Sequence, residues 1–334
     1  MIARETGRGT NRRGHSFGKP RISYSFLKIL TGSDLSRRRL PLMAAESPCS
    51  GPVVWLTACV HGDEVGGIVV IQELFKTVRK RLLNGSIYAF PLMNPLGFET
   101  ASRDIILSKE DLNRSFPGNK NGSLAERIAD KTFSTIAQTN PALVLDLHND
   151  WRRSIPHALL DPCPRTLAGT AYATTQYFSE KTGLLVIRDT EELKRSLSYS
   201  LLQHDIPAMT LELGESYVVN ERNIEFGVYS IVNILADLGM VSPLEKPFHY
   251  PVPELVRGEI LNYSQLPLSS TSGIIRFLAK PGDLVTRGQA VAKIYNTFGK
   301  LQETIRALND GIVLGHADFS VAFPGVPVIA FGVL

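Results

Sequence analysis

The chain has 334 residues, 43% of them hydrophobic and 20% charged, with a formal net charge of +4. That length accommodates one large domain and a smaller one, and that composition excludes a disordered or collagen-like chain. No apolar run approaches the roughly 20 residues that cross a bilayer, no secretory signal core opens the chain, and Cys49, Cys59 and Cys163 lack CxxC spacing, so a cytoplasmic protein without structural zinc is expected.

Residues 1–40 carry ten Lys/Arg against two acids, and the rest carries 26 against 30. The positive charge therefore belongs to a basic N-terminal arm, expected to be solvated over residues 1–21. Such an arm can also touch nucleic acid or acidic lipid, or serve as a transit peptide; Glu5 weighs against a transit peptide, and nucleic acid is not the expected partner. "RISYSFLKIL" and "RLPLMAA" read as two edge strands around the turn "TGSD". "PVVWLTACV" is a continuous apolar run suited to a strand buried on both faces. A helix follows over "EVGGIVVIQELFKTVRKRLL", with Leu74, Val78 and Leu82 on one side, then the strand "GSIYAFPLMN". Ser123 and Glu126 form a capping-box pattern that starts the helix "SLAERIADKTFSTIAQ". Beyond it come the strands "PALVLDLHND" and "GLLVIRD", a helix over "EELKRSLSYSLLQHD", the strand "IPAMTLELGE" and a helix over "NIEFGVYSIVNILADLGM". Strands alternating with helices predict an α/β sheet with helices on both faces over residues 22–241. After the proline-rich "SPLEKPFHYPVPE", only short strands between Gly and Pro turns remain, so residues 242–334 are expected to form a β-rich domain.

Three of these strands carry ionisable residues at or near their ends. His61 and Glu64 follow "WLTACV", His148 ends "ALVLDL", and Glu212 lies in "AMTLELGE". Open α/β sheets bind ligands outside the carboxyl ends of their strands, so the four side chains converge in this scheme. Two imidazoles and a carboxylate, with one position left for water, make a common catalytic zinc set, and a separate carboxylate can then act as base. Taken alone, "HGDE" or "DLH" is more often an ordinary turn or strand end; their combination carries the metal expectation. The loop "SRDIILSKEDLNRSFPG" adds two guanidiniums, Arg103 and Arg114, beside the amide of Asn113, a set suited to an anionic substrate. Asp63 is expected to cap the helix that follows it. Asp146 can support the site from behind, and Glu215, past the strand, is an alternative base.

"ACVHGDE", "NPLGF", "SRD" with "DLNRSFPG", "LDLH" and "TLELGE", in that order, resemble the succinylglutamate desuccinylase/aspartoacylase family of zinc carboxypeptidase-like hydrolases. The resemblance covers residues 22–334 and implies a zinc-carboxypeptidase-like mixed sheet followed by a barrel-sandwich-like β domain. It also implies one Zn²⁺ per chain on His61, Glu64 and His148, with Glu212 as base. Arg103 at the oxyanion, and Asn113 with Arg114 on a substrate carboxylate, complete the implied site; "DIILSKE" is an unusual filler after Arg103.

The expected chemistry is hydrolysis of the amide bond in a small N-acylated, carboxylate-bearing amino acid or related amine. Zinc lowers the pKa of a bound water toward ~7 and polarises the carbonyl. The rival within this chemistry is a metallocarboxypeptidase acting on short peptides, and a homo-oligomer is compatible with either. A binding protein without turnover is disfavoured by the intact donor set. His157, His204 and His249 read as structural or solvated residues of loops and helix ends, and His316 has no visible partner. "FLAKPGDLVTRGQAVAKI" has the hairpin pattern of biotinyl and lipoyl modules but no attachment lysine at a matching tip, so no carrier role is expected.

Overall fold

A computed structural model describes residues 19–32, 35, 37–164, 169–190 and 194–334. The basic arm expected over residues 1–21 lies, as far as residue 18, outside the described residues. In chain order the elements are β1 (Arg21–Thr31), β2 (Arg37–Glu46), β3 (Val53–Ala58), α1 (Gly66–Arg81), β4 (Ser86–Phe90), α2 (Pro95–Thr100), α3 (Leu124–Ala137) and β5 (Leu143–Asp150). They continue with β6 (Arg153–Ser154), β7 (His157–Leu160), α4 (Thr170–Lys181), β8 (Leu185–Arg188), α5 (Leu197–Leu202), β9 (Ala208–Glu215) and α6 (Glu221–Asp237). The remainder is all strand: β10 (Ile260–Ser264), β11 (Gly273–Phe277), β12 (Leu284–Val285), β13 (Ala290–Tyr295), β14 (Leu301–Arg306), β15 (Gly311–His316), β16 (Val321–Ala322) and β17 (Ile329–Val333).

Among the described residues a 13-stranded mixed sheet runs β1-β2-β4-β3-β5-β9-β7-β8-β10-β17-β15-β12, with β6 on β15. A second, antiparallel sheet runs β14-β13-β11-β16. Strand alternation divides the core into two layers. Val54, Leu56 and Ala58 of β3 and Leu143, Leu145 and Leu147 of β5 pack against α1 and α6, while Trp55 and Val144 face α3 and α5. Helices therefore cover both faces of the sheet, and β3 and β5 are buried along nearly their whole length. The capping box at α3 forms as its sequence predicts, with Ser123 Oγ accepting from Glu126 N–H and Glu126 accepting from Ser123 N–H.

The structure corrects several local expectations. Of the two expected edge strands β1 alone lies at an edge; β2 lies inside, paired with both β1 and β4. The helix expected over 191–205 is confined to α5, because Ser196 caps the N–H of Tyr199 and Asp205 turns into the left-handed region at φ +58°; residues 191–193 lie outside the described set. No element is predicted between the strand "PALVLDLHND" and the strand "GLLVIRD". β7 is four residues long and directly follows Pro156, and α4 buries only Ala171, Thr175, Phe178 and Ser179. The strands after residue 242 build the second sheet and also extend the first, through β10 parallel to β8 and β17 antiparallel to β10.

Candidate metal and active site

β3 delivers its last residue, Ala58, into a turn in which Cys59 takes φ +54° and reverses the chain before α1 starts at Gly66. His61 and Glu64 occupy that turn. The adjacent parallel strand β5 brings His148 alongside, and β9 continues the row because His148 and Glu212 are register partners. His61, Glu64 and His148 are 2%, 4% and 4% exposed, so their charges are almost wholly removed from water.

His61 Nδ1 is 2.6 Å from Glu64 Oε1, and His148 Nδ1 is 2.8 Å from Glu64 Oε2. One candidate donor atom from each of the three residues falls within 4.8 Å of the other two. Both Nε2 atoms point away to carboxylates: His61 to Asp111 Oδ1 at 3.1 Å, His148 to Asp146 Oδ2 at 2.9 Å. Asp146 is itself fixed by Thr57, whose hydroxyl donates to Oδ1 at 2.6 Å. Carboxylates behind the distal nitrogens fix the ring orientation and raise the basicity of the nitrogens that meet at Glu64.

The electrostatics follow from this arrangement. Burial works against a charged His61, but the Glu64 carboxylate and then Asp111 outweigh it and raise its pKa. Burial likewise opposes charge on His148, and Asp146 with Glu64 lifts it well above the usual imidazole range. Burial would also raise Glu64, yet the two imidazoles hold it below the ordinary carboxylate range. A cluster that draws positive charge this strongly suits a divalent cation, and two imidazole nitrogens with a carboxylate suit zinc among such ions. Glu212 is different. Burial, reinforced by Asp150, Glu64 and Asp146 and opposed by His148, raises its pKa well above the carboxylate range, and its Oε2 has no partner among the described residues. A carboxylate whose pKa is raised is a stronger base than an ordinary one.

The loop after α2 supplies the cations. Arg103 Nη2 donates to Asp111 Oδ2 at 3.0 Å, and its Nη1 lies 3.8 Å from Glu64 Oε1. Asn113 and Arg114 sit in a 3-10 turn, Leu112–Arg114, initiated by Asp111, whose side chain accepts from Asn113 N–H. The three metal-ligand candidates, Glu212, and the set Arg103, Asn113 and Arg114 all line one cavity of about 880 Å³, together with Tyr263 of β10.

Four side chains do not behave as their sequence context predicts. Asp63 does not cap α1: the N-cap is Val65, without a side-chain bond, and Gly66 N–H is satisfied by Asn149 Oδ1 at 3.0 Å. Glu215 belongs to β9, where it accepts from Asn220 at 2.6 Å. His157 is neither in a loop nor solvated; it is buried on β7 opposite Glu212, Nδ1 donating to Ile155 O at 3.0 Å, and burial lowers its pKa to about 4. His316 has partners, Nε2 donating to Ala279 O at 2.8 Å with its ring stacked on Phe277. Sequence reasoning gave no role to Asp111 or Asn149. Both flank recognised residues, Asp111 in "DLNR" and Asn149 after "LDLH", and the Asn149 N–H donates to Glu64 Oε2 at 3.1 Å.

The pattern of the Succinylglutamate desuccinylase/Aspartoacylase catalytic domain matches residues 50–238. The N-alpha-acetyl-L-2,4-diaminobutyric acid deacetylase of Halomonas elongata is 26% identical over 327 residues, covering 87% of this chain and 86% of that protein. The product-bound ectoine utilization protein EutE (DoeB) of Ruegeria pomeroyi superposes with a TM-score of 0.79 at 21% identity, over 95% of this chain and 96% of its own. A metallo-carboxypeptidase from Burkholderia cenocepacia shares the fold more distantly, with a TM-score of 0.52 at 13% identity over 67% of this chain and 65% of its own.

Proposed function

The chain belongs to the succinylglutamate desuccinylase/aspartoacylase family, and from that premise we propose that it is a zinc-dependent hydrolase of the amide bond in a small N-acylated, carboxylate-bearing amino acid. The observation that carries this reading is the meeting of two imidazole Nδ1 atoms at the two oxygens of one buried carboxylate. The N-acetylated amino acid named for the Halomonas elongata relative is a substrate of this type.

His61, Glu64 and His148 would hold one Zn²⁺ per chain. When bound, the ion polarises the scissile carbonyl and acidifies a water molecule. Glu212, on the strand beside His148, would take a proton from the attacking water and return it to the leaving amine. Arg103, braced by Asp111, donates to the oxygen that becomes negative in the tetrahedral state, worth roughly 3 kcal/mol for one well-placed donor. Arg114 and the NH₂ of Asn113 hold the substrate carboxylate; Asn113 Oδ1 is already committed to Leu197 N–H at 2.9 Å. Residues 22–241 form the catalytic domain, residues 242–334 a barrel-sandwich-like domain that contributes Tyr263 to the cavity wall, and residues 1–21 a basic arm. The working setting is the cytoplasm, with self-association compatible and nucleic acid not the expected partner. No described helix is long and apolar enough to cross a membrane.

The likeness to a metallo-carboxypeptidase fold supports a second reading, removal of a C-terminal residue from a short peptide. Zinc-reconstituted protein should be assayed on N-acetyl and N-succinyl amino acids beside dipeptides of the same residues. Turnover of the acyl amino acids is expected. Hydrolysis confined to the dipeptides overturns the deacylase reading in favour of the second.

A further inference from the structure

The cavity is electrically divided. Arg103 and Arg114 are the only lysines or arginines among its described lining residues, and both stand on the loop over residues 102–118. The wall formed by β7, β8 and the start of α5 presents carboxylates and hydroxyls instead. Asp161 directly follows β7 and continues the alternation His157, Leu159, Asp161, all three lining the cavity. Asp189 stands next to it on the neighbouring chain segment, its N–H donating to Leu160 O at 2.9 Å.

Asp161 is 3% exposed, and its Oδ2 has no hydrogen-bond partner among the described residues. Its carboxyl does accept from Ser198, whose hydroxyl oxygen in turn accepts from Thr210 at 3.3 Å. A buried oxygen left without a donor is uncommon and asks for a partner from outside the chain. Burial pushes Asp161 up to about 7, with Asp189 and Asp146 adding to the rise, so the group stands in a negative potential that a cation relieves. A second metal ion does not fit, because the one ligand group of metal-binding spacing among the described residues is His61, Glu64 and His148.

We propose that Asp161, with Asp189 beside it, is the subsite that selects for a protonated side-chain amine, so that this chain would take an acyl diamino acid of the kind named for the Halomonas elongata relative. This deepens the deacylase reading and rests on it. The guanidinium end holds the carboxylate, the aspartate end holds the side-chain ammonium, and the scissile amide lies between them beside His148. An ammonium brings three donors and a full charge to an acceptor-rich pocket, whereas a substrate ending in a methyl or carboxylate leaves Asp161 unpaired or repelled. Sites built to bond a polar group reject analogues that lack it far more strongly than apolar pockets discriminate by size.

The test uses the zinc-loaded full chain and two kinds of measurement. Hydrolysis of Nα-acetyl-2,4-diaminobutyrate, Nα-acetylornithine and Nα-acetyllysine is compared with that of N-acetylnorvaline and N-acetylglutamate. Calorimetry then compares free 2,4-diaminobutyrate with norvaline as ligands. The subsite predicts that one of the diamino substrates exceeds N-acetylnorvaline in kcat/KM by at least about 100-fold, and that diaminobutyrate binds at least about 10-fold tighter than norvaline. In Asp161→Asn both preferences should collapse, and in Asp161→Glu, which keeps the charge, part of each should return. Efficient hydrolysis of N-acetylglutamate or N-acetylnorvaline over every diamino substrate overturns the subsite and leaves the deacylase reading standing. Should nothing in the panel be hydrolysed, equal affinity for diaminobutyrate and norvaline would still remove the subsite, and the deacylase reading fails only if N-succinyl amino acids are inert as well. Preferences that survive intact in Asp161→Asn also overturn it.

Discussion

Gly62 separates the two metal-binding candidates in the turn, and the structure says why no side chain is tolerated there. A Cβ at this position would lie 1.9 Å from the Gly97 carbonyl carbon and 2.3 Å from the Phe98 nitrogen. Ordinary contact begins near 3.4 Å, so in Gly62→Ala the turn and α2 must part by about 1.5 Å. Neither side yields easily. Gly62 N–H donates to Ser102 O at 3.0 Å, Ser102 N–H to Gly97 O at 2.9 Å, and Gly97 N–H to Asn94 Oδ1 at 2.9 Å. Overpacking of this kind costs about 1–3 kcal/mol, and a clash between backbone atoms belongs at the upper end. With an unfolding entropy of ~2.1 cal/mol/K per residue, about 3 kcal/mol lowers Tm by roughly 4 °C. The displacement also carries His61 away from Glu64 by more than the ~0.2 Å that a metal site tolerates, so metal content should fall together with Tm. Thermal denaturation of the metal-free protein and elemental analysis of the purified variant read the two effects separately. A variant with wild-type Tm and wild-type metal content would refute the close approach of the turn to α2 and the placement of His61 that depends on it.

Asp146→Asn, which weakens the carboxylate behind His148, should loosen metal binding about 10–100-fold in a chelator competition; unchanged affinity would show that His148 does not need its brace. Glu212→Gln should retain the metal while kcat falls about 10²–10⁴-fold, the range for a lost general base, and a kcat within a few-fold of wild type would remove Glu212 from the proton path. His157 titrates near pH 4 in the fold against an ordinary 6.5. The unfolded chain thus binds more protons in that window, and stability from a neutral His157 is present above about pH 6.5 and lost as pH falls through about 4. Over that interval the stability difference between wild type and His157→Gln should therefore shift by about 3 kcal/mol at 1.36 kcal/mol per pKa unit, read by urea denaturation at pH 7 and pH 4; a constant difference would contradict a buried, neutral His157.

What the sequence discloses here is local chemistry at the ends of strongly patterned elements. β3 is a nearly unbroken apolar run and β5 opens with one before turning polar at Asp146, so their ends, and with them His61, Glu64 and His148, are readable from the sequence pattern. α3 announces itself through Ser123 and Glu126. Contacts that depend on strand order are another matter. β7 is inserted antiparallel to β9 and parallel to β8, and only that pairing sets His157 opposite Glu212 and carries Asp161 into the cavity. Nothing in "SIPHALLD", with its proline and four-residue strand, specifies those neighbours. Tyr263 enters the cavity because β10 joins the main sheet beside β8, a tertiary choice that a run of short strands leaves open. Asp63 misled for a physical reason: an acid just before a helix is ordinarily a cap, but Asn149 from β5 already serves Gly66 N–H.

The central claim is that His61, Glu64 and His148 together hold one catalytic divalent ion. Protein purified without chelators, with metal content measured by inductively coupled plasma mass spectrometry in wild type and in His148→Ala, tests it most directly. About one zinc per chain in the wild type, and a small fraction of that in folded His148→Ala, is the predicted result. A wild type without stoichiometric metal, even after incubation with zinc and desalting, or a His148→Ala that retains it, would contradict the claim.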